Sequence, residues 1–528
     1  GVGSPQAGER PGLQRQGLSK KLKKGRTANG LSPFFYHCKP ARSGREGDYM
    51  RRIRFYRPVL LLGLFFLLGL LFVPECDDCY FVYWEYDSLK NFLLTHPIPE
   101  DMHAYGVPAN GRYLGNLIGV LQGKLYFTPF GWLRGLFMGG VLAGMTLLLG
   151  QRFAPDGERK GEGFALAFSL VALAPRGLWQ QVYSWGAAFV NYLLPMAGIL
   201  ILLALLSKKR PAPVVCFLVS LCCCFFMEPV TILMCLGGIT YGGYTFLKER
   251  ERLPVSLATA LGAVLGTALM FSNPGYTQIG SDNRAIGLEL ISRNLTFIAT
   301  EALLRPVAAA LLISFLLVWL LRRQGGVWQP WAVLLAPIHM FCVVDALRDC
   351  VYGGGLQNMK RMMLAGVLAL IWLVLLAQWR GGAVLVQVAA GALALCVVNG
   401  PLLVVSPVES RALFPSYVVL LMIAALLWRE ARKQGLRLSM RWAWVPGAVV
   451  CTLLIAIYSA NFLVYHQRLD SARLQVAQGA RELTLPLVPF TGWTVNEQRN
   501  KGDICFLVYR DTAWDVPVKF VPYQEFIS

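Results

Sequence analysis

Two adjacent carboxylates, Asp77-Asp78, follow directly on the first long apolar segment, inside the run Glu75-Cys76-Asp77-Asp78-Cys79-Tyr80, with Glu85 and Asp87 a few residues on. Each acid disfavours ionisation of its neighbour unless a cation, a metal or a substrate compensates. At a membrane face the pair is costlier still. Spanning a membrane does not require it, so Asp77 and Asp78 are candidate reaction-centre groups, able to deprotonate or orient a hydroxyl. The bland alternative is a helix cap or a holder of solvent cations.

Other polar groups recur between later apolar blocks. Asn110-Gly111-Arg112 follows the acid pair, and Trp179, Trp185, Asn191 and Tyr192 form a second set. Glu228-Pro229 marks a corner, where the acid assists an acceptor, binds a metal or simply meets water. Asn273-Pro274-Gly275-Tyr276 and Asp282-Asn283-Arg284 form a fourth set, and Asp345, Arg348, Asp349, Gln357, Asn358, Lys360 and Arg361 a fifth. Ser406–Arg411 closes the series; there Glu409 and Arg411 either hold a ligand or orient each other. Trp185 and Tyr192 suit a sugar ring, and equally suit interfacial anchoring.

The elements that must position these groups are membrane helices. The chain has 528 residues, 55% hydrophobic and 15% charged, whereas soluble proteins carry roughly a quarter charged residues. Its apolar residues fall in blocks, and a bilayer core takes about 20 residues of helix. The expected fold is an all-α integral membrane protein with about 13 transmembrane helices near 58–74, 131–150, 163–176, 193–207, 212–227, 229–247, 254–271, 306–321, 328–345, 362–378, 382–400, 412–428 and 442–460. With the start inside, every strongly basic loop falls on the cytoplasmic side, as the positive-inside bias requires. All the polar sets named above then share the outer face. Arginines there run against the bias, which singles out Arg112, Arg284, Arg348, Arg361 and Arg411.

Apolar residues at Tyr113, Leu114, Leu117, Ile118 and Leu121 give a helical face suited to the membrane surface, and Leu288, Ile291, Leu295 and Ile298 give a second. Residues 1–49 hold ten Lys/Arg against three Asp/Glu, lack apolar periodicity and read as a disordered basic leader, with Met50 the expected natural start. The polytopic domain is expected over 50–460, and 461–528 as a short extracytoplasmic segment with strands near Ile504–Tyr509 and Val516–Val521. The net charge of +20 is explained by the leader and the inner loops, so no nucleic-acid partner is expected. Thirteen cysteines follow no framework. Cys222-Cys223-Cys224 read as buried, reduced hydrophobes, and Cys76-x-x-Cys79 alone is weak evidence for metal.

Acids and arginines on one outer face suit transfer of a sugar from a lipid phosphate. A carboxylate takes the acceptor proton, arginines receive the departing phosphate, and interfacial helices shape an access for the lipid. The layout resembles the GT-C superfamily of membrane glycosyltransferases, and more closely an uncharacterised family of bacterial multi-span proteins grouped with it. The likeness rests on Asp77-Asp78, Asn110-Gly111-Arg112, Trp185 with Asn191-Tyr192, Glu228, Asn273-Pro274-Gly275 with Arg284, and Pro407 through Arg411, and it covers most of residues 50–460. It implies Asp77 or Asp78 as catalytic base, with interfacial helices within 91–126. It further implies a polyprenyl-phosphate sugar donor, a cell-envelope glycan or lipid acceptor, inversion at the sugar, and the outer face of the cytoplasmic membrane as the place of reaction. Many such enzymes end in a sizeable soluble domain, which this tail is too short to supply. No nucleotide cofactor is expected; a divalent cation is left open, and the metal ligands undefined.

The rival class is a transporter or flippase of lipid-linked or envelope precursors. It calls for ionisable residues within spans, interrupted helices and repeats. Only His339 stands out inside a span, and it reads as a hydrogen-bonded packing residue.

Overall fold

The computed structural model describes residues 44–75, 78, 110–126, 128–154, 160–273, 276, 287–352, 359–438, 442–495 and 517–527. The described residues from 53 onward make one compact unit. The protein is an all-α membrane protein. Fifteen helices carry the argument. These are α1 (Gly44–Leu71), α2 (Tyr113–Tyr126), α3 (Trp132–Phe153), α4 (Lys160–Ala172), α5 (Gly186–Leu206), α6 (Pro213–Cys223), α7 (Glu228–Lys248) and α8 (Leu253–Phe271), followed by α9 (Leu288–Leu304), α10 (Val307–Arg323), α11 (Gln329–Tyr352), α12 (Met359–Gln378), α13 (Ala383–Asn399), α14 (Phe414–Lys433) and α15 (Trp444–Ala477). Among the described residues nine helices are long and apolar enough to cross a membrane, or ten if the bent pair α9–α10 is one span. Three shorter apolar helices lie at Pro58–Leu71, Gly161–Ala172 and Pro213–Cys223.

The helices begin and end where local chemistry dictates. Proline stands in the first turn of α6, α7, α8 and α14, where its missing N–H would have no intrahelical partner anyway. Helix α15 runs on to Ala477, past the span expected near 442–460, because Asn461, Val464, Tyr465, Arg468, Leu469 and Ala472 keep one face buried against the tail. Helix α1 begins at Gly44, ahead of Met50.

Packing uses small residues, since apolar surface gains little by leaving lipid for protein. At the α1–α3 crossing a Cβ on Gly139 would stand 2.5 Å from the Cα of Phe66, and one on Gly69 only 2.3 Å from the Gly135 carbonyl oxygen. Gly262 and Gly266 let α8 close on α6 in the same way. Helix α14 runs through the middle of the core, buried almost continuously from Phe414 to Trp428, whereas α13 turns Val386 and Leu393 outward. Cys223 and Cys224 are buried as expected, but Cys222 is exposed because it sits on the outward face of α6. His339 packs as expected, its Nε2 2.8 Å from Ser314 Oγ, which also accepts from the Trp372 indole N–H at 2.8 Å.

Both amphipathic segments are helices. In α2 the buried face consists of Gly115, Asn116, Gly119, Gln122 and Gly123 with Val120, and Leu121 is exposed. The small and polar face looks inward; of the apolar positions, Leu114 and Ile118 are half-buried against the core and Leu121 faces outward. Helix α9 leaves Leu288 and Leu295 exposed and meets α10 at a 68° bend. Asn294 anchors it by donating to the carbonyls of Leu402, Leu403 and Val405.

The tail contributes a two-stranded parallel sheet, β1 (Leu483–Pro486) with β2 (Val518–Val521). β2 falls within the strand expected over Val516–Val521. Ile504–Tyr509 lies outside the described residues.

Candidate functional site

The helices meet their connecting segments at two contrasting poles. At one, Arg152 bonds Ser207, Arg252 bonds the Leu206 carbonyl, Arg323 bonds the Gln434 carbonyl, and Arg432 pairs with Glu162 at 2.8 Å. This is the end of the basic loops. The other pole gathers the segments expected to share a face.

Its first cluster surrounds Asp78. Helix α5 starts after the extended Trp185, so its first amides lack intrahelical partners. Asp78 supplies acceptors, taking N–H bonds from Gly186 at 3.0 Å and Ala187 at 2.6 Å. Arg134, in the first turn of α3, donates to Asp78 at 3.1 Å and to the Phe72 carbonyl at 2.8 Å, with its guanidinium 5.3 Å from the Tyr126 ring centre. The Glu75 N–H also reaches Asp78. Asp78 is 2% exposed and Arg134 1%. Burial pushes the Asp78 carboxyl up to about 6, against the opposing pull of Arg134 and three backbone N–H groups. This carboxylate ties the end of α1 to the starts of α3 and α5. An acceptor hydroxyl would reach it only by displacing Arg134 or a backbone amide. Asp77 and Cys76-Cys79 lie outside the described residues.

The second cluster joins four segments. Glu228 opens α7, where the free N–H groups of the first turn favour a negative charge. Arg112 grips it bidentately along one edge of the guanidinium, Nε to Oε1 at 3.1 Å and Nη2 to Oε2 at 2.8 Å, and the Tyr276 hydroxyl donates to Oε1 at 2.9 Å. Burial draws Arg112 down, but Glu228 holds it above its ordinary value. The two side chains keep 28% and 20% of their exposure. Asn110 fixes the approach, its Oδ1 accepting from the Arg112 backbone N–H at 3.0 Å and from Asn116 at 3.2 Å. Gly111 is required there, because a Cβ would stand 2.2 Å from the Met270 carbonyl oxygen. Tyr192 bridges onward, close to Arg112, Glu228 and Arg411. Arg411 lies over the Trp185 ring at 4.6 Å and pairs with Glu409 at 3.1 Å. Glu409 and Arg411 thus pair with each other, and Trp185 joins the arrangement. Asn191 turns back to its own helix, donating to the Ala187 carbonyl at 2.9 Å.

The third cluster is one that sequence reasoning did not assemble. Arg305, 6% exposed at the side chain, sits among Glu301 at 3.3 Å, Asp345 at 3.5 Å and Asp349 at 3.4 Å. Asp345 is shared with Arg361, and Asp349 with Arg176 at 3.3 Å. Glu301 accepts from the Ser410 hydroxyl at 3.2 Å, next to Arg411, whose backbone N–H donates to Gln181. Three arginines and three carboxylates thus balance. Arg361 joins this cluster, Arg348 is exposed and stays out of it, and Arg284 lies outside the described residues. Glu301 and Arg305, four residues apart just before Pro306, carry the signal that reveals the cluster. Arg134, next to Trp132 in the first turn of a span, carries the other.

Three π-helical turns, Trp179–Tyr183, Phe189–Leu193 and Thr300–Leu304, border these clusters. Such turns recur where a helix presents functional groups. Among the described residues no group of three or more His, Cys, Asp or Glu is disposed to hold a metal ion. No protein-family model, curated protein or solved structure matches this chain.

Proposed function

We propose that this chain is a glycosyltransferase of the cytoplasmic membrane, moving a sugar from a polyprenyl-phosphate donor to an envelope glycan or lipid acceptor at the pole around Arg112, Glu228 and Arg411. The observation that carries the reading is the junction of an accessible carboxylate, two arginines and two aromatic rings, Glu228 with Arg112, Tyr192, Arg411 and Trp185, drawn from separate segments. The basic opposite pole supports an N-terminus inside and a C-terminus outside, consistent with a bundle of about thirteen spans.

In this scheme the acceptor oxygen attacks the anomeric carbon as its bond to the phosphate oxygen breaks. The hydroxyl proton passes to a carboxylate, and polyprenyl phosphate departs against the arginines. Glu228 is the better placed base among the described acids, since its side chain keeps 20% exposure while Asp78 is buried. Asp77 stays the second candidate. A divalent cation at the phosphate is compatible with the scheme and is tested by chelation.

The test is sugar transfer from radiolabelled polyprenyl-phosphate sugars into membrane extracts, comparing wild type with Glu228→Gln, Asp77→Asn and Asp78→Asn at matched expression. Loss of a general base costs about 10²–10⁴-fold, expected in Glu228→Gln and not in Asp78→Asn. Undiminished transfer by Glu228→Gln would remove it from the chemistry, and absence of transfer with every donor would sink the reading.

The transporter reading gains from one observation: α9 and α10 break at Arg305 beside buried Asp345, Asp349 and Arg361. Interrupted helices with enclosed ionisable groups are a transporter feature. Translocation without transfer, measured with fluorescent lipid-linked sugars in vesicles, would decide for it.

A further inference from the structure

The segment after β1 is held in an unusual way. Pro486 presents its carbonyl to the Arg468 Nε at 2.9 Å. Phe490 exchanges two bonds with the buried Asn461 side chain, N–H to Oδ1 at 3.0 Å and Nδ2 to the carbonyl at 3.2 Å. The Gly492 carbonyl takes Arg176, the Thr494 carbonyl takes Gln180, and the Val495 N–H donates to Glu75 at 2.6 Å. Side chains of the bundle thus bind the main chain of residues 486–495 at five positions. The segment's own side chains add fewer contacts: Phe490 is exposed, Val488, Thr494 and Val495 are buried, and the half-buried Trp493 meets the Tyr458 ring edge-on.

We propose that residues 487–495 form a displaceable strap over the polar pole. Both of its footholds adjoin the clusters described above. Glu75 precedes Asp78 and donates its N–H to it, and Arg176 and Gln180 lie on the turn whose Gln181 receives Arg411. On lifting, Arg176 keeps Asp349, and the freed carbonyls and N–H groups pass to water, which replaces them readily. Release uncovers three apolar side chains, Val488, Trp493 and Val495, and otherwise breaks only polar contacts to the main chain. Segments with few apolar anchors and many side-chain-to-backbone bonds belong to the low-stability end of a fold. The strap needs no particular reaction at the pole.

Hydrogen exchange of the full-length protein in nanodiscs tests it, together with carbodiimide labelling of the Glu75 carboxyl. The amides of Phe490, Trp493, Thr494 and Val495 are expected to exchange as one block, about tenfold or more faster than buried amides of α15. Glu75 labelling should rise and fall with that block. Asn461→Ala should accelerate the whole block rather than Phe490 alone. In a Gln180→Cys/Thr494→Cys protein, a reducible thiol cross-linker should suppress both signals, and reductant should restore them. This arm leaves Asn461 intact. Exchange at the rate of the α15 core with Glu75 unlabelled, or residues that respond one by one, would overturn the strap.

Discussion

Replacing Arg305 by methionine gives the sharpest test of how the polar pole is held. The cluster is neutral, Arg176, Arg305 and Arg361 against Glu301, Asp345 and Asp349, so the substitution leaves one uncompensated negative charge in a site whose members are at most 13% exposed. At an effective dielectric near 20, each contact at 3.3–3.5 Å is worth about 5 kcal/mol of attraction. Desolvation of the ions offsets most of that, and breaking a buried pair from one side costs about 3–5 kcal/mol net. The burden falls on one residue: Asp345 keeps Arg361, Asp349 keeps Arg176, and Glu301 exchanges its ion pair for the Ser410 hydroxyl alone. Glu301→Gln should therefore rescue Arg305→Met, recovering at least about half of the loss as coupling between the two sites. Denaturant unfolding in detergent, followed by tryptophan fluorescence, measures the cycle. A loss below about 1 kcal/mol for Arg305→Met, or strict additivity with Glu301→Gln, would refute the hub.

Gly139→Leu should lower the unfolding free energy by about 1–3 kcal/mol or prevent folding, because the new side chain meets α1 backbone rather than a movable group; a heat-denaturation series through alanine reads it. Arg411→Lys removes the planar group over Trp185 and, in the proposed transferase, should weaken binding of polyprenyl phosphate by about 0.5–2 kcal/mol, measured by calorimetry. Asn294→Ala strips three carbonyls of their donor and should cost about 1–3 kcal/mol, with faster exchange in the 400–405 turn. For Asp78 the folded carboxyl sits near 6 against an ordinary 3.8, so the native state holds its proton more tightly than the unfolded chain. Its stabilising contribution is present below the unfolded value and lost as pH rises through 6, about 3 kcal/mol in all. The wild-type stability minus that of Asp78→Asn should fall accordingly between pH 4 and pH 7, and a flat difference would contradict the assignment.

The helices were legible because hydrophobic blocks report burial in lipid whatever their partners. Glu228–Lys248 and Leu253–Phe271 lie within a residue or so of the spans read from composition. The polar pole was legible in part: of the arginines singled out by the charge bias, Arg112, Arg361 and Arg411 lie in its clusters. Contact partners were not. Arg112 with Glu228 joins positions 116 residues apart, and no local spacing encodes such a bond. Asp78 drew notice as an acid beside another acid, yet its geometry follows from Arg134 and from the bare amides of Gly186 and Ala187, far along the chain. The π-helical turns were hidden because one inserted residue hardly alters an apolar pattern.

The ionisable residues of the polar pole collect where helices break, and one physical cause accounts for both. A helix interrupted near a bilayer leaves N–H and C=O groups that lipid cannot satisfy. At Gly186 the partner is Asp78, at residues 402–405 it is Asn294, and at Gly492 and Thr494 it is Arg176 and Gln180. Arg305 stands at the break itself, between α9 and α10, and balances the acids that surround it. At the basic pole arginines also take helix-end carbonyls, Arg252 that of Leu206 and Arg323 that of Gln434, while others, such as Lys248 and Arg250, stay exposed. Breaks that are closed by charged side chains are also the parts of a membrane bundle that can rearrange without exposing apolar surface. A ligand with its own charges and hydroxyls can take over those bonds one for one. The same pole therefore combines a dense set of polar groups with a backbone freedom that the continuous helices elsewhere lack.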